Sequence, residues 1–327
     1  MWISRGGSTL DVSLVLDGLL SAPVIAFVLA VLAGLARFEV RLPEALPPVL
    51  ATFLLFAIGL KGGRSLASAT FGELAGPLAA SLVIGVVTPL VAFVVMRTFV
   101  GLGRTDAAGV AAHYGSVSAV TFIVALTVVE SQGIPAEGIL AGLLGVLEVI
   151  GIVVGLALAS RGTQGTSWTE ALSEIVRGRS ITMLLLGLAV GLLAGEARLG
   201  PVDPLFVGLF QGALVLFLLE MGAIAAERLR EVARLGVRLV VAGVALPVVN
   251  GTIGALLGAV AGLSTGGVAV LAMLAASASY IAAPAAVRIA LPDADPAVSI
   301  TASLGITFPF NLTLGIPLFV WVATLLT

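Results

Sequence analysis

The fold is decided by a short polar stretch, Ser277-Ala278-Ser279-Tyr280-Ile281-Ala282-Ala283-Pro284, inside an otherwise apolar run. Two hydroxyls, a phenol and a proline occupy positions where a membrane-spanning helix carries mainly Leu, Val and Ala. Proline removes a backbone donor and clashes with the preceding turn, so it favours a break or a kink. In lipid, broken backbone is tolerated only inside protein or along a wet cavity. The stretch is therefore either a packed kink or part of a binding site.

The composition indicates a multi-pass membrane protein. Of the 327 residues, 59% are hydrophobic and 10% are charged, whereas soluble domains carry about 25% charged residues. The chain has no cysteine, which excludes thiol chemistry, and its single histidine excludes a multi-histidine metal centre. A net charge of −2 does not indicate nucleic-acid binding. The N-terminal segment 1–17 lacks the basic start and apolar middle of a cleavable signal.

Ten apolar runs have roughly the length needed to cross the hydrocarbon core. They are 18–36, 46–62, 73–98, 105–130, 136–160, 180–195, 203–225, 232–262, 265–290 and 295–326. A polar linker, 161–179, separates a first five-helix unit, 18–160, from a second, 180–327. With the N-terminus outside, twelve Lys and Arg residues fall on the inner side and four on the outer side. Because cytoplasmic loops carry the excess of positive side chains, both termini are predicted outside and the linker in the cytoplasm.

The two halves resemble each other in sequence. The recurring residues are Glu73 and Glu231, Gly85 and Gly243, and Pro89 and Pro247, each pair 158 residues apart, and Ser116-x-Ser118 with Ser277-x-Ser279, 161 residues apart. Five spans is an odd number, so the second half enters the membrane upside down, as in many secondary transporters. The sequence therefore predicts an all-α integral membrane protein of ten transmembrane helices, arranged as two inverted five-helix repeats with broken fourth and ninth helices.

The break in the fourth span is predicted within His113-Tyr114-Gly115-Ser116-Val117-Ser118-Ala119-Val120-Thr121. An internal pseudo-twofold axis would bring it close to the Ser277–Pro284 break near the bilayer centre. Two half-helix N-termini could then present free N–H groups and positive dipole ends to an anion, while unwound carbonyls and serine hydroxyls hold Na⁺. The alternative is that the small residues only allow close helix crossing. His113 is interpreted either as a pH sensor or as a structural histidine.

Other charged and polar residues lie inside the predicted spans. Glu148, in the middle of the fifth span, is interpreted as a Na⁺ ligand, a proton carrier or the partner of a cation, because a carboxylate at membrane depth usually serves function. The corresponding position in the second repeat is the polar region around Thr307 and Asn311. Asn311 is alternatively interpreted as a residue that forms hydrogen bonds between helices. Glu220 and Lys61 are interpreted as interfacial, because long charged side chains reach towards headgroups.

The sequence contains none of the common catalytic or nucleotide-binding motifs. The sequence has no HExxH, no GxSxG, no Walker loop and no dinucleotide fingerprint, so the chain is not expected to be an enzyme or a self-contained ATP-driven pump. Transport would have to draw on an ion gradient. The alternatives within transport are a Na⁺/H⁺ antiporter with Glu148 as the titrating carboxylate and a small-carboxylate transporter. The alternative from another class is a non-transporting membrane sensor or scaffold.

At the polar stretches described above and at further motifs along the chain, the sequence resembles the sodium-dependent bicarbonate transporters of the cyanobacterial Sbt type. The motifs that carry the resemblance are Leu42-Pro43-Glu44, Ile58-Gly59-Leu60-Lys61-Gly62-Gly63, Gly115-Ser116-Val117-Ser118, Ala125-Leu126-Thr127, Gln132-Gly133-Ile134-Pro135, Asp203-Pro204-Leu205-Phe206, Met221-Gly222, Gly266-Gly267-Val268, Ala275-Ala276-Ser277-Ala278-Ser279 and Pro317-Leu318-Phe319. The resemblance covers nearly the whole chain. It implies a sodium/proton antiporter-like fold, a core domain that moves against a scaffold domain, a homotrimer and a bacterial inner-membrane location.

The resemblance also implies Na⁺-coupled uptake of bicarbonate or another small anion, with no cofactor beyond the coupling ion. The implied substrate-binding residues are Gly115, Ser116, Ser118, Ser277, Ser279, Tyr280 and Thr307. The sodium residues are expected to be Ser118, Glu148, Ser279 and Asn311. A PII-like cytoplasmic regulator is implied by the cyanobacterial members. Three features depart from that pattern: Tyr280 stands where the family has an acidic residue, Tyr114 stands where it has Phe, and the linker is shorter than in many cyanobacterial relatives.

Overall fold

The computed structural model describes residues 20–159, 168–194 and 196–327. The N-terminal segment 1–17 and part of the predicted linker therefore lie outside the described residues. Within those ranges every regular element is helical.

The first half and the linker contain seven helices. They are α1 (Ala22–Leu35), α2 (Leu46–Leu66), α3 (Phe71–Val95), α4 (Arg104–Gly115), α5 (Ala119–Ser131), α6 (Leu140–Ala157) and α7 (Trp168–Arg177). A π-helical turn, Met96–Val100, continues α3. Pro77 and Pro89 lie inside α3. The linker is thus partly helical, because α7 forms within its predicted range.

The second half contains six further helices. They are α8 (Arg179–Ala194), α9 (Phe210–Leu235), α10 (Val237–Val260), α11 (Thr265–Ala276), α12 (Ala283–Ala290) and α13 (Pro296–Leu326). Short helical turns, Glu196–Leu199, Gly200–Val202 and Pro204–Gly208, connect α8 to α9. Two segments of α13, Thr301–Thr307 and Asn311–Gly315, are π-helical.

Seven helical segments of the described chain are long and apolar enough to cross a membrane, with α4 and α5 counted together as Arg104–Ser131, and three shorter apolar helices accompany them. Each of these helices overlaps one of the ten predicted apolar runs. The shorter three are α1, α8 and α11, and α11 is short because the chain breaks after Ala276. The described chain is therefore all-helical with seven candidate membrane spans, as the all-α prediction requires, and the count of ten crossings in two inverted repeats stays a prediction.

Two helix pairs pack through glycine, and we call the four helices α1, α2, α8 and α9 the scaffold group. In the first pair Gly59 of α2 lies against Gly187 of α8, and Gly63 lies against Gly191, so the two helices run side by side in the same direction. In the second pair Gly222 of α9 lies against α1. Because glycine has no side chain, the two backbones can approach closely. Such close van der Waals packing holds helices together in lipid, where the hydrophobic effect does not favour their association.

The remaining helices of the two repeats, α3 to α6 and α10 to α13, form what we call the core group. The starts of its two broken helices are tied to loops of the opposite half of the chain. Glu137 accepts hydrogen bonds from the Ser264 backbone N–H (2.6 Å) and hydroxyl (3.1 Å) before α11. Asp106 near the start of α4 accepts one from the backbone N–H of Asp295 (2.8 Å). These hydrogen bonds connect the core-group helices of the first half of the chain to those of the second half.

Glu220 does not reach the interface, so that interpretation was wrong. Its side chain is 2% exposed, and it forms an ion pair with Arg41 at 2.7 Å. The backbone N–H of Leu42 donates to the same carboxylate at 2.7 Å. The segment between α1 and α2 folds over α9 and supplies these partners, which a reading of α9 alone cannot detect. Lys61 is partly exposed but is also paired, with Glu130.

Candidate functional site

Both predicted spans are interrupted at the polar stretches. Between α4 and α5 the chain is extended at Ser116 (φ −77°, ψ 170°) and Ser118 (φ −98°, ψ 111°). After α11, Ser277 is extended in the same way (φ −83°, ψ 167°), and α12 begins only at Ala283. The backbone groups released by these breaks need other partners inside the protein.

The two breaks supply partners to each other. The backbone N–H of Ser118 donates to the hydroxyl oxygen of Ser277 at 2.8 Å, and that hydroxyl donates to the carbonyl of Leu274 at 2.8 Å. The backbone N–H of Ser279 donates to the carbonyl of His113 at 2.8 Å. Residues separated by about 160 positions in the sequence are therefore joined directly, and Ser277 serves as a structural bridge.

His113 adds a second bond to the same junction. Its Nδ1 lies 2.6 Å from the carbonyl oxygen of Ser279. Because a carbonyl oxygen only accepts, Nδ1 must carry the proton. The backbone and ring of His113 thus engage both backbone groups of Ser279, which favours the structural interpretation of this histidine over the pH sensor.

The backbone of the first break packs directly on α6. Gly151 leaves room for this contact, because a Cβ there would overlap the carbonyl of Gly115 and the amide of Ser116. Gly115 in turn packs on Pro89 of α3 and on the carbonyl of Gly151. Gly115 therefore has a steric role at the break, where close helix crossing requires the smallest residue.

Glu148 lies one helical turn before Gly151 on α6. The residue is 4% exposed, and its Oε2 makes no hydrogen bond within the described part of the chain. A buried polar atom without a partner costs about 1–3 kcal/mol, and more when it is charged. Such an atom beside the first break is a candidate cation ligand or proton carrier.

Thr307 is buried and held in a chain of hydrogen bonds. It donates to the carbonyl of Gly243 at 2.6 Å, so the hydroxyl of Tyr114, also at 2.6 Å, acts as its donor. This arrangement joins α13 to α10 and α4. The proton of the Thr307 hydroxyl is therefore used in a hydrogen bond within the fold, and its role in substrate binding stays a prediction.

Asn311 closes the end of the helix that precedes the second break. Its Nδ2 donates to the carbonyl of Ala276, the last residue of α11, at 2.9 Å. Its Oδ1 is buried and has no hydrogen-bond partner in the described residues. Asn311 therefore both joins helices and presents an oxygen next to the second break.

Tyr280 faces the boundary between the core and scaffold groups. Its ring packs edge-on against Phe308 of α13 at 5.2 Å, and Phe308 packs against Phe27 of α1 at 5.3 Å. Its hydroxyl lies towards Ser118 but makes no hydrogen bond of normal geometry in the described structure. The residue also lines a cavity of about 630 Å³ that opens between α2, α9, α12 and α13.

Some of the serine and threonine hydroxyls at the breaks form hydrogen bonds and others do not. Ser118 Oγ caps α5 by accepting from the N–H of Thr121 at 3.2 Å, and Ser279 Oγ accepts from the N–H of Ala283 at 3.3 Å. The hydroxyls of Ser116 and Thr121 are buried and lack a partner among the described residues. Thr121 lies in the predicted stretch but was not predicted as a ligand, although its hydroxyl is a signal for one.

The His113 contact predicts a tautomer that can be measured. Because His113 is the single histidine of the chain, a ¹⁵N spectrum of tag-free protein labelled at the imidazole nitrogens reports it alone. The expected result is a ring protonated at Nδ1. His113→Ala should also lower the free energy of unfolding by about 1–3 kcal/mol, since the Ser279 carbonyl loses its partner. A ring protonated at Nε2, or an unchanged thermal transition, would contradict this contact.

The fold and the paired breaks define a class: a multi-pass membrane protein with interrupted helices that meet inside it. A comparison of the sequence with protein families identifies the family within this class. The Na⁺-dependent bicarbonate transporter superfamily matches residues 22–324, nearly the whole chain. The chain therefore belongs to the Na⁺-dependent bicarbonate transporter superfamily. No curated protein matches it.

Proposed function

We propose that the protein is a Na⁺-coupled symporter of a small anion, with bicarbonate as the favoured substrate, and that it works by alternating access of the core group against the scaffold group. The observation that carries the proposal is the direct meeting of the two breaks, where Ser118 is the N-cap of half-helix α5 and Ser279 lies in the turn that leads into half-helix α12. Membership of the superfamily supports the transport class and the ions. It also implies a transporter and not an enzyme.

The anion would lie between the two breaks. Helix N-termini carry free N–H groups and partial positive charge, and α5 and α12 both begin there. The hydroxyl of Ser116 is buried without a partner in the described structure, and that of Tyr280 is buried without a hydrogen bond of normal geometry, so both remain available as donors. Tyr280 is neutral where the family pattern has an acidic side chain, which leaves a small carboxylate as an alternative substrate.

The Na⁺ ion would bind to oxygen atoms beside the breaks. Glu148 Oε2 and Asn311 Oδ1 are buried acceptors without described hydrogen-bond partners. The hydroxyl oxygens of Ser118 and Ser279 each keep a lone pair after accepting one backbone N–H. A carboxylate at this depth is costly unless a cation or proton accompanies it, which supports Glu148 as the coupling residue.

Two cavities support alternating access. The larger, about 630 Å³, reaches Tyr280 from the end of the molecule that holds Arg228. The smaller, about 330 Å³, lies along α5 at the end that holds Lys61. Both lie between the scaffold and core groups, on opposite sides of the breaks. By the positive-charge asymmetry, the larger would face the cytoplasm and the smaller the outside.

The remaining parts of the proposal come from the family resemblance. They are a homotrimer, a bacterial inner-membrane location, and a PII-like regulator on the cytoplasmic face. The asymmetry of Lys and Arg supports both termini outside. Helix α7 lies at that face and packs on α12, with Ile175 buried against the core group.

The test is uptake of radiolabelled bicarbonate into proteoliposomes with and without an inward Na⁺ gradient. The proposal predicts uptake that requires the gradient and disappears when a Na⁺ ionophore dissipates it. Absence of uptake together with pH-driven Na⁺ flux would establish the antiporter instead. Absence of both fluxes in reconstituted, folded protein would favour a sensor or scaffold.

A further inference from the structure

Lys61 links the scaffold group to the core group at the end of the molecule predicted to face outside. Its Nζ lies 2.5 Å from Glu130 Oε1, so α2 is joined to the last turn of α5. The Lys61 and Glu130 side chains are 54% and 38% exposed. An ion pair in water contributes little to stability, because solvent competes for both partners. An incoming anion can therefore replace Glu130 at small cost.

The pair lines the smaller cavity, which is lined also by Arg64, Thr127 and Phe210. Arg64 forms an ion pair with Asp203, which fixes its guanidinium at the cavity edge. Helix α5 leads from Glu130 to Ser118, a distance of about 20 Å at 1.5 Å per residue. An anion entering this cavity would meet Lys61 before it reaches the breaks.

Lys61 is the single lysine among the sixteen basic side chains of the chain. An ammonium is a compact charge on a flexible stem with rotatable donors, whereas a guanidinium holds a carboxylate in a fixed two-point geometry. The lysine is thus the basic residue best suited to exchange partners. Glu130 would hold it while the entrance is closed.

We propose that Lys61 is an anion-receiving residue at the outer entrance, with Glu130 as its resting counter-ion. The ligand class is a small monovalent oxyanion. The inference rests on the proposed function and deepens it, because it names the first contact of the substrate. The alternative is that the Lys61–Glu130 pair only holds the two helix groups together. In that case, removing Lys61 or removing Glu130 would change uptake in the same direction.

The experiment compares Lys61→Gln, Lys61→Arg and Glu130→Gln by initial rates of Na⁺-driven uptake over a range of external bicarbonate. Lys61→Gln is expected to raise the half-saturating bicarbonate concentration about three- to tenfold, the size of one charge interaction in water. Maximum rate and Na⁺ dependence should stay unchanged. Lys61→Arg keeps the charge but holds Glu130 in a two-point contact, so it should raise the concentration less than Lys61→Gln does. Glu130→Gln should shift the concentration in the opposite direction. Arg198→Gln, an exposed cation outside the cavity, is the matched control.

A second measurement does not depend on transport. Reductive ¹³C-methylation keeps the charge of Lys61 and labels it as the single lysine signal. We expect bicarbonate to shift this signal where equal chloride does not, with a larger shift in Glu130→Gln. Shifts in the same direction for Lys61→Gln and Glu130→Gln in the uptake assay, or no bicarbonate-specific shift in the spectrum, would overturn the inference. Lack of Na⁺-driven uptake by the wild type would instead contradict the proposed function, and the spectrum would still decide the anion site.

Discussion

Ser118→Ala and Ser279→Ala are each expected to reduce Na⁺-driven bicarbonate uptake by about tenfold or more, while the protein still folds and assembles. Ser118 is the N-cap of α5 and accepts from Thr121 N–H, and Ser279, in the turn before α12, accepts from the N–H of Ala283, the first residue of that helix. Loss of such a cap costs about 1 kcal/mol, and loss of a hydrogen bond to a charged ligand costs about 1.5–3 kcal/mol. Since about 1.4 kcal/mol is a factor of ten, the effect on transport should be large.

The measurement is the initial uptake rate, normalised to the amount of reconstituted protein, with gel filtration as the check on assembly. Ser131→Ala is the matched control, because this serine lies at the far end of α5 and its hydroxyl donates only to the carbonyl of Val128 in its own helix. It should transport like the wild type. Unchanged uptake in both Ser118→Ala and Ser279→Ala would remove these two serines from the site.

Gly151→Ala is expected to abolish transport and to lower thermal stability strongly. A Cβ at this position would overlap the Gly115 carbonyl and the Ser116 amide, and both are backbone atoms that cannot rotate away. Overpacking of this kind typically costs about 1–3 kcal/mol, and more where the backbone must move. The first break would be pushed away from α6, and the Ser118–Ser277 bond would lengthen with it.

Gly142→Ala, on the same helix, is the control for the glycine substitution. Its Cβ would meet only Leu66, at an ordinary 3.9 Å. Because alanine favours a helix over glycine by about 1 kcal/mol, this variant should be as stable as the wild type or slightly more stable. Thermal unfolding in detergent and uptake measure both variants. Equal transitions for Gly151→Ala and Gly142→Ala would show that α6 does not pack on the break as described.

Much of the fold could be predicted from local sequence patterns. Apolar runs predict apolar helices, and each of the ten runs overlaps an apolar helical segment of the described chain, seven of which are long enough to cross a membrane. Proline and clustered hydroxyls report breaks, and both interruptions occur where Ser116-x-Ser118 and Ser277-x-Ser279 stand. The recurrence of that pattern also indicated which two breaks would lie together, which the Ser118–Ser277 hydrogen bond confirms.

What the sequence could not predict depends on contacts between distant residues. The bonds from His113 to Ser279 span 166 positions, and the pair Arg41–Glu220 joins a loop to a helix far along the chain. Helical periodicity carries no information about such pairs. Gly151 could not be distinguished from other glycines, because its importance lies in what it faces. Ser277 and Thr307 were predicted as ligands, and the structure adds bonds to the fold that their residue types do not reveal.

The most direct test of the central claim is an experimental structure determined in Na⁺ and bicarbonate, compared with one determined in choline chloride. The account predicts density between Ser116–Ser118 and Ser277–Tyr280 in the first condition only, within hydrogen-bonding distance of the serine hydroxyls. A cation feature near Glu148 and Asn311 should accompany it. Identical, featureless density at the breaks in both conditions, with an ordered anion bound elsewhere in the protein, would contradict the account.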